Sequence, residues 1–152
     1  MKDEIRNDIE IACTPAELFG YVTQPWLWHE WHPNSKSAKA VVETLSEGDC
    51  FDEVIELQPL SPLPLTLRRK THYKVVTVEP GHHWLVEGEM SGGWLQIDYR
   101  FEPSETGVRF IRTLTYEAQG ANRLFAPFLK SRMKAMSLLA LRNLKAHLEA
   151  RA

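Results

Sequence analysis

Cysteine is scarce in this chain: Cys13 and Cys50 are the whole complement. Their spacing excludes a zinc ribbon or a multi-bridge disulfide scaffold, and two isolated thiols of core or surface are expected. Long apolar runs are missing too, none approaching the roughly 18 residues of a membrane helix. Met1-Lys2-Asp3-Glu4 is charged and no apolar segment follows it, so the reading is soluble and cytoplasmic. There is no Gly-x-Ser-x-Gly elbow, glycine-rich phosphate loop or His-Glu-x-x-His pair. Nucleophilic hydrolysis, nucleotide binding and zinc proteolysis therefore lack their usual carriers. His29 and His32, and the adjacent His82 and His83, have no cysteine near them in sequence, and zinc needs three or four convergent ligands. No metal and no cofactor is expected.

An excess of one charge is also absent. Eighteen basic residues face 20 acidic ones, for a net charge of -2, and no nucleic-acid partner is expected. The distribution is uneven, however. Residues 1–58 carry 12 acidic and 4 basic side chains, whereas residues 123–152 carry 1 acidic and 7 basic. A basic C-terminal helix that complements acidic strands of its own fold explains this asymmetry. A peripheral membrane or protein contact through that helix is the other reading.

What is present is a 152-residue chain, 43% hydrophobic and 25% charged, enough for one domain over residues 1–152 with a core of its own. Ile5 to Ile11 alternates as a half-buried strand. Thr14-Pro15-Ala16-Glu17 is a helix start, with Thr14 as cap and Pro15 at the first helical position. Pro25 ends that helix by Gln24. Pro25 to Pro33 then packs Trp26, Trp28 and Trp31 into one short segment, a second short helix or turn, with Trp28 and Trp31 buried or at a pocket mouth. Strands are predicted at Ala38–Thr44, Asp49–Leu57, Leu65–Val78, His83–Met90, Trp94–Glu102 and Val108–Glu117, separated by turn residues or by the proline-rich 59–64. From Asn122 or about 126, Phe125, Leu129, Met133, Met136, Ala140, Leu144 and Leu148 recur as one helical stripe.

The order is thus strand, two short helices, a meander of antiparallel strands and one long helix. A single helix roughly 10 Å across does not fill the concave face of a twisted six- or seven-stranded sheet, and the shortfall is a pocket. The sequence resembles the START-like (SRPBCC) superfamily, in its polyketide cyclase/dehydrase and lipid-transport branch. The resemblance lies in the opening strand with Thr14-Pro15-Ala16-Glu17-Leu18-Phe19, in Trp31-His32-Pro33, in Val76-Thr77-Val78-Glu79-Pro80-Gly81, in Phe101-Glu102-Pro103-Ser104-Glu105-Thr106-Gly107 and in the closing helix. It implies an α+β helix-grip fold: a curved antiparallel sheet wrapped around the C-terminal helix, with a tunnel between them. That superfamily spans carriers, receptors, cyclases and interaction modules, so the fold does not select a function.

Alternation proposes the cavity wall. In the last strand Val108, Phe110, Arg112, Leu114 and Tyr116 share a face, opposite the wetter Arg109, Ile111, Thr113, Thr115 and Glu117. Leu67, Arg69, Thr71, Tyr73 and Val75 form the inward face of a long strand, and Leu95, Ile97, Tyr99 and Phe101 that of another. Arg112 stands out, because a guanidinium among apolar neighbours needs an anion. Either a ligand carboxylate supplies it, or a structural acid such as Glu53 or Asp98 does. The candidate ligand-binding residues are Arg112, Tyr73, Tyr99, Tyr116, Phe110, Leu114, Leu67, Arg69, Ile97 and Trp31. Phe125, Leu129, Met133 and Met136 join them from the helix, where flexible thioethers suit a pocket. His29 and His32 are read as polar partners on the tryptophan-rich rim. The expected partner is a small hydrophobic or lipid-like ligand, with the chain a monomer or homodimer. The alternatives are a cyclase or dehydratase acting on an aromatic or polyketide-like substrate, and a ribosome- or membrane-associated interaction module.

Overall fold

The computed structural model describes residues 2–57, 66–90, 93–119, 124 and 126–151. Seven strands form one sheet: β1 (Lys2–Ile11), β2 (Ser35–Lys39), β3 (Cys50–Leu57), β4 (Leu67–Glu79), β5 (His83–Met90), β6 (Gly93–Ser104) and β7 (Gly107–Ala118). Their order is β1-β7-β6-β5-β4-β3-β2 and every pairing is antiparallel. From β2 to β7 the sheet is a plain meander. β1 closes its far edge by pairing with the last strand, Ile5 opposite Leu114 and Asn7 opposite Arg112.

Helix α1 (Pro15–Val22) starts as the sequence predicts, with the Thr14 hydroxyl accepting from the Glu17 N–H at 3.1 Å. The second short helix is a 3₁₀ turn, Pro25–Glu30. Trp28 fastens it by donating its indole N–H to the Val22 carbonyl at 2.7 Å. Trp28 and Trp31 are both buried, 3% and 1% exposed. Trp28 meets Phe51, Tyr73 and Trp84 edge-on at 5.6–6.1 Å, a geometry favoured by the ring quadrupoles.

The long helix α2 (Ala126–Glu149) has 24 residues, about 36 Å at 1.5 Å per residue. It buries Ser137, Ala140, Leu141, Leu144 and Leu148. The predicted stripe is therefore in the right place but slightly rotated. Leu141 and Ser137 replace Met136 at the centre, because 133, 137, 140, 141 and 144 follow one face of a 3.6-residue period. Two of its cations bind β1: Lys130 pairs with Asp3 at 2.8 Å and Lys145 donates to the Glu10 carbonyl at 3.0 Å. Asn143 holds the Trp31 carbonyl at 3.1 Å.

Two further expectations are corrected. The strand predicted at Ala38–Thr44 lies at Ser35–Lys39, and residues 40–49 form an irregular loop with Val41 fully exposed. The backbone of that loop turns toward β4 instead. Gly48 donates to the Val75 carbonyl, and Val75 donates to the Asp49 carbonyl, each at 2.8 Å, where a bulge interrupts the β4–β5 register. Ile111, placed on the wetter face of β7, is 4% exposed. β7 is an interior strand, paired with β1 on one side and β6 on the other, with Asp8 and Arg100 opposite Ile111. The turn between β6 and β7 needs Gly107. Its φ is +153°, and a Cβ there would run into the carbonyl oxygens of Ile11 and Cys13.

Candidate functional site

Alternation on four strands aims large side chains at one space beneath α2. Glu53 and Ile55 come from β3, Arg69 and Tyr73 from β4, Leu95, Ile97 and Tyr99 from β6, and Arg112, Leu114 and Tyr116 from β7. Trp28, His32 and Ser35 close one side, while Met133 and Ser137 of α2 form the roof. The cavity they enclose has a volume of about 110 Å³. That is below the roughly 300 Å³ at which drug-sized pockets begin and close to the roughly 150 Å³ that takes one benzene ring. Gly88 of β5 makes room under it: a Cβ there would stand 2.7 Å from the Tyr73 ring and 2.8 Å from the Thr71 methyl.

Arg112 is the polar centre. It is 4% exposed, and its Nη1 donates to the Ser137 hydroxyl at 3.0 Å. Its Nε is buried and has no partner among the described residues. Ser137 Oγ also accepts from Asn7 Nδ2 at 3.0 Å, which leaves its own proton free to donate. The Tyr116 hydroxyl is likewise buried without a partner among the described residues. Burial pushes the Tyr99 phenol up to about 12, partly offset by the Arg112 charge and a hydrogen bond from it.

Glu53, 4% exposed, lines the same cavity as Arg112. Tyr73 donates to its Oε1 at 3.1 Å. Burial pushes the Glu53 carboxyl up to about 7, against the opposing pull of Ser35, Tyr73 and Arg112. Among the described residues no ion pair within 4 Å joins Glu53 to Arg112, so the two feel each other through space. The His32 imidazole moves the other way. Burial and the Arg112 charge hold it well below the usual histidine range. Its Nδ1 accepts from the Asn34 N–H at 3.2 Å, so the neutral ring carries its proton on Nε2.

Of the fourteen predicted residues, Arg112, Tyr73, Tyr99, Tyr116, Leu114, Arg69, Ile97 and Met133 line the cavity. Phe110 does not, because it is sealed behind Tyr99 and Phe101, with ring centroids at 5.0 and 5.3 Å. Trp31 is core, its ring tilted against that of His32 with centroids 6.0 Å apart. Met136 is half-buried one step off the face that carries Ser137. Phe125, and the side chains of Leu67 and Leu129, lie outside the described residues. Asp98 serves His83 and Arg100 at 3.0 and 3.4 Å and takes no part. His29 is exposed, whereas His32 lines the cavity. Glu53, His32, Ser35 and Ser137 are among the lining residues that sequence reasoning left out of the site. Glu53 carried a usable signal, since Phe51, Glu53 and Ile55 alternate inward on β3.

Among the described residues no three His, Cys, Asp or Glu side chains are grouped to hold a metal. No helix among them is long and apolar enough to cross a membrane.

The fold recurs in solved structures. A protein from Thermus thermophilus superposes with a TM-score of 0.76 at 15% identity, over 99% of both chains. An aromatase/cyclase from a Streptomyces species does so with 0.75 at 8% identity, over 99% of this chain and 96% of that one. A Rhodobacter sphaeroides protein gives 0.70 at 20% identity, over 97% and 93%. Identities this low establish the shared fold alone. None of the functionally curated proteins matches the sequence. Residues 2–149 do match a sequence family described as polyketide cyclase / dehydrase and lipid transport. With its helix-grip architecture and nearly its whole length matched, the chain belongs to that family.

Proposed function

We propose that the protein binds a small, largely apolar molecule in the cavity between the sheet and α2, with Arg112 as its polar anchor. One observation carries this reading: a guanidinium 4% exposed, its Nε unpartnered among the described residues, lines a space whose apolar wall includes Trp28, Leu95, Ile97, Leu114 and Met133. A buried donor left unmade costs about 1–3 kcal/mol, more when charged, and a ligand acceptor removes that cost. The volume favours a molecule the size of one ring or a short acyl chain. The test is solvent extraction of the purified protein and mass spectrometry of what is released. One such compound in stoichiometric amount is expected; a chain that yields nothing and binds no ring-sized or short-chain molecule refutes the reading.

A second reading, acid–base catalysis on the bound molecule, is favoured by Glu53. A carboxyl raised to about 7 beside a fixed cation suits proton transfer near neutral pH. A supplied molecule that leaves the protein chemically altered, and leaves Glu53→Gln unaltered, supports catalysis. One that always leaves intact supports a carrier. The interaction-module reading gains less, since Lys130 and Lys145 of the basic helix are engaged by β1.

A further inference from the structure

Buried donors at the cavity are left unpaired among the described residues. Arg112 Nε and the Tyr116 hydroxyl have no partner among the described residues, and Ser137 accepts twice and keeps its own proton to give. A guanidinium is not deprotonated in proteins. The charged and hydrogen-bonding groups that line the cavity with Glu53 are Tyr73 and Arg69 from β4, Tyr99 from β6, Arg112 from β7, Ser35 from β2 and His32 ahead of it; of these Ser35, Tyr73 and Arg112 act on its carboxyl. Glu117 of β7 is a further acid of the lining, beside Ala118 and Gly93. His32 is held neutral by burial and by Arg112. The site therefore holds one fully buried cation, Arg112, with Arg69 half-buried in the same lining, and one buried carboxyl able to carry either charge.

Building on the proposed binding function, we propose that the ligand is an apolar acid held as its anion at Arg112, and that each binding event delivers one proton from solvent to Glu53. A ligand carboxylate and an ionised Glu53 would set two anions against the one fully buried cation in a cavity that screens them poorly. Protonating Glu53 removes that repulsion. Because its carboxyl already sits at about 7, the proton costs little at neutral pH. Balance is simple: one carboxylate enters, one proton enters, and the net charge of the site is unchanged. A neutral ligand, such as an amide or alcohol of the same shape, lacks the repulsion and calls for no proton.

The test counts protons. Straight-chain monocarboxylates of four to ten carbons, benzoate and phenylacetate, each beside its primary amide, are titrated calorimetrically into the full chain at pH 7.5. Two buffers of different ionisation enthalpy are used. A carboxyl titrating near 7 predicts uptake of about 0.8 proton per acid bound, and a loss of affinity of about tenfold per pH unit above 8. Glu53→Gln is expected to bind the acids with no uptake and no pH dependence over that range. Acid binding without uptake, uptake that survives in Glu53→Gln, or amides that bind as tightly as their acids would each overturn the inference. Amides binding where acids do not would overturn it and leave the binding function standing. If neither series binds and extraction yields nothing, the binding function itself falls.

Discussion

Replacing Glu53 by glutamine makes the protein more stable at alkaline pH and leaves it nearly unchanged in acid. The carboxyl sits at about 7 in the folded chain against an ordinary 4.5. Between those values the folded state holds a proton that the unfolded state has released. Stability from this group is therefore full below pH 4.5 and declines until the carboxyl is ionised in both states. A shift of this size corresponds to about 3 kcal/mol. Glutamine is close in shape, still accepts the Tyr73 hydroxyl, and does not titrate. His32 acts with the opposite sign: held neutral by burial, it costs stability as the pH falls below the ordinary histidine value. It is present in both proteins, so it cancels in the difference. Urea unfolding followed by tryptophan fluorescence, at half-unit steps from pH 4.5 to 8.5, measures that difference. Glu53→Gln should gain on the parent steadily between pH 5 and 7.5 and then level off, for a total of about 3 kcal/mol. Parallel stability curves would show that Glu53 titrates in the fold as it does in water, and the argument from its burial would be lost.

Other perturbations probe the frame of the site. Gly88→Ala places a methyl against the Tyr73 ring and Thr71, and such overpacking should cost about 1–3 kcal/mol and weaken ligand binding, read by urea unfolding and calorimetry. Leu144→Ala empties a fully buried position of α2 and should cost about 2–5 kcal/mol in the same unfolding assay. Thr14→Ala removes the cap of α1 and should cost about 1 kcal/mol without altering ligand affinity.

The strands and the long helix were legible because their signals are local and redundant. β5, predicted at His83–Met90, lies there, since Gly81 and the β5–β6 turn bracket a clear alternation. The inward faces of β4, β6 and β7 followed from period two, and Arg112 with them. What failed depended on tertiary partners. Ala40-Val41-Val42 reads as strand by composition, yet β4 claims the backbone of the loop that follows. Ile111 reads as outward, yet on a strand flanked by β1 and β6 it is buried. Phe110 shares the Arg112 face but lies too far along β7 to reach the space under α2, an end-on position that alternation does not encode. Glu53 was named only as a rival partner for Arg112, because β3 carries acids on both faces, Asp52 and Glu56 outward and Glu53 inward. Ser137 was hidden because a lone serine on an apolar helix stripe has no meaning until Arg112 and Asn7 are seen to converge on it.

The central claim is that a small molecule occupies the cavity beneath α2, and native mass spectrometry of the protein beside Met133→Trp tests it most directly. Met133 lines the cavity from the helix and is only partly buried, so an indole there can fill the space without displacing the sheet. The parent chain, as purified or after addition of the monocarboxylate series, should carry one small-molecule adduct per chain that denaturation releases intact, while Met133→Trp carries none. A parent chain that stays bare throughout, or an adduct that Met133→Trp retains at the same occupancy, would contradict the account.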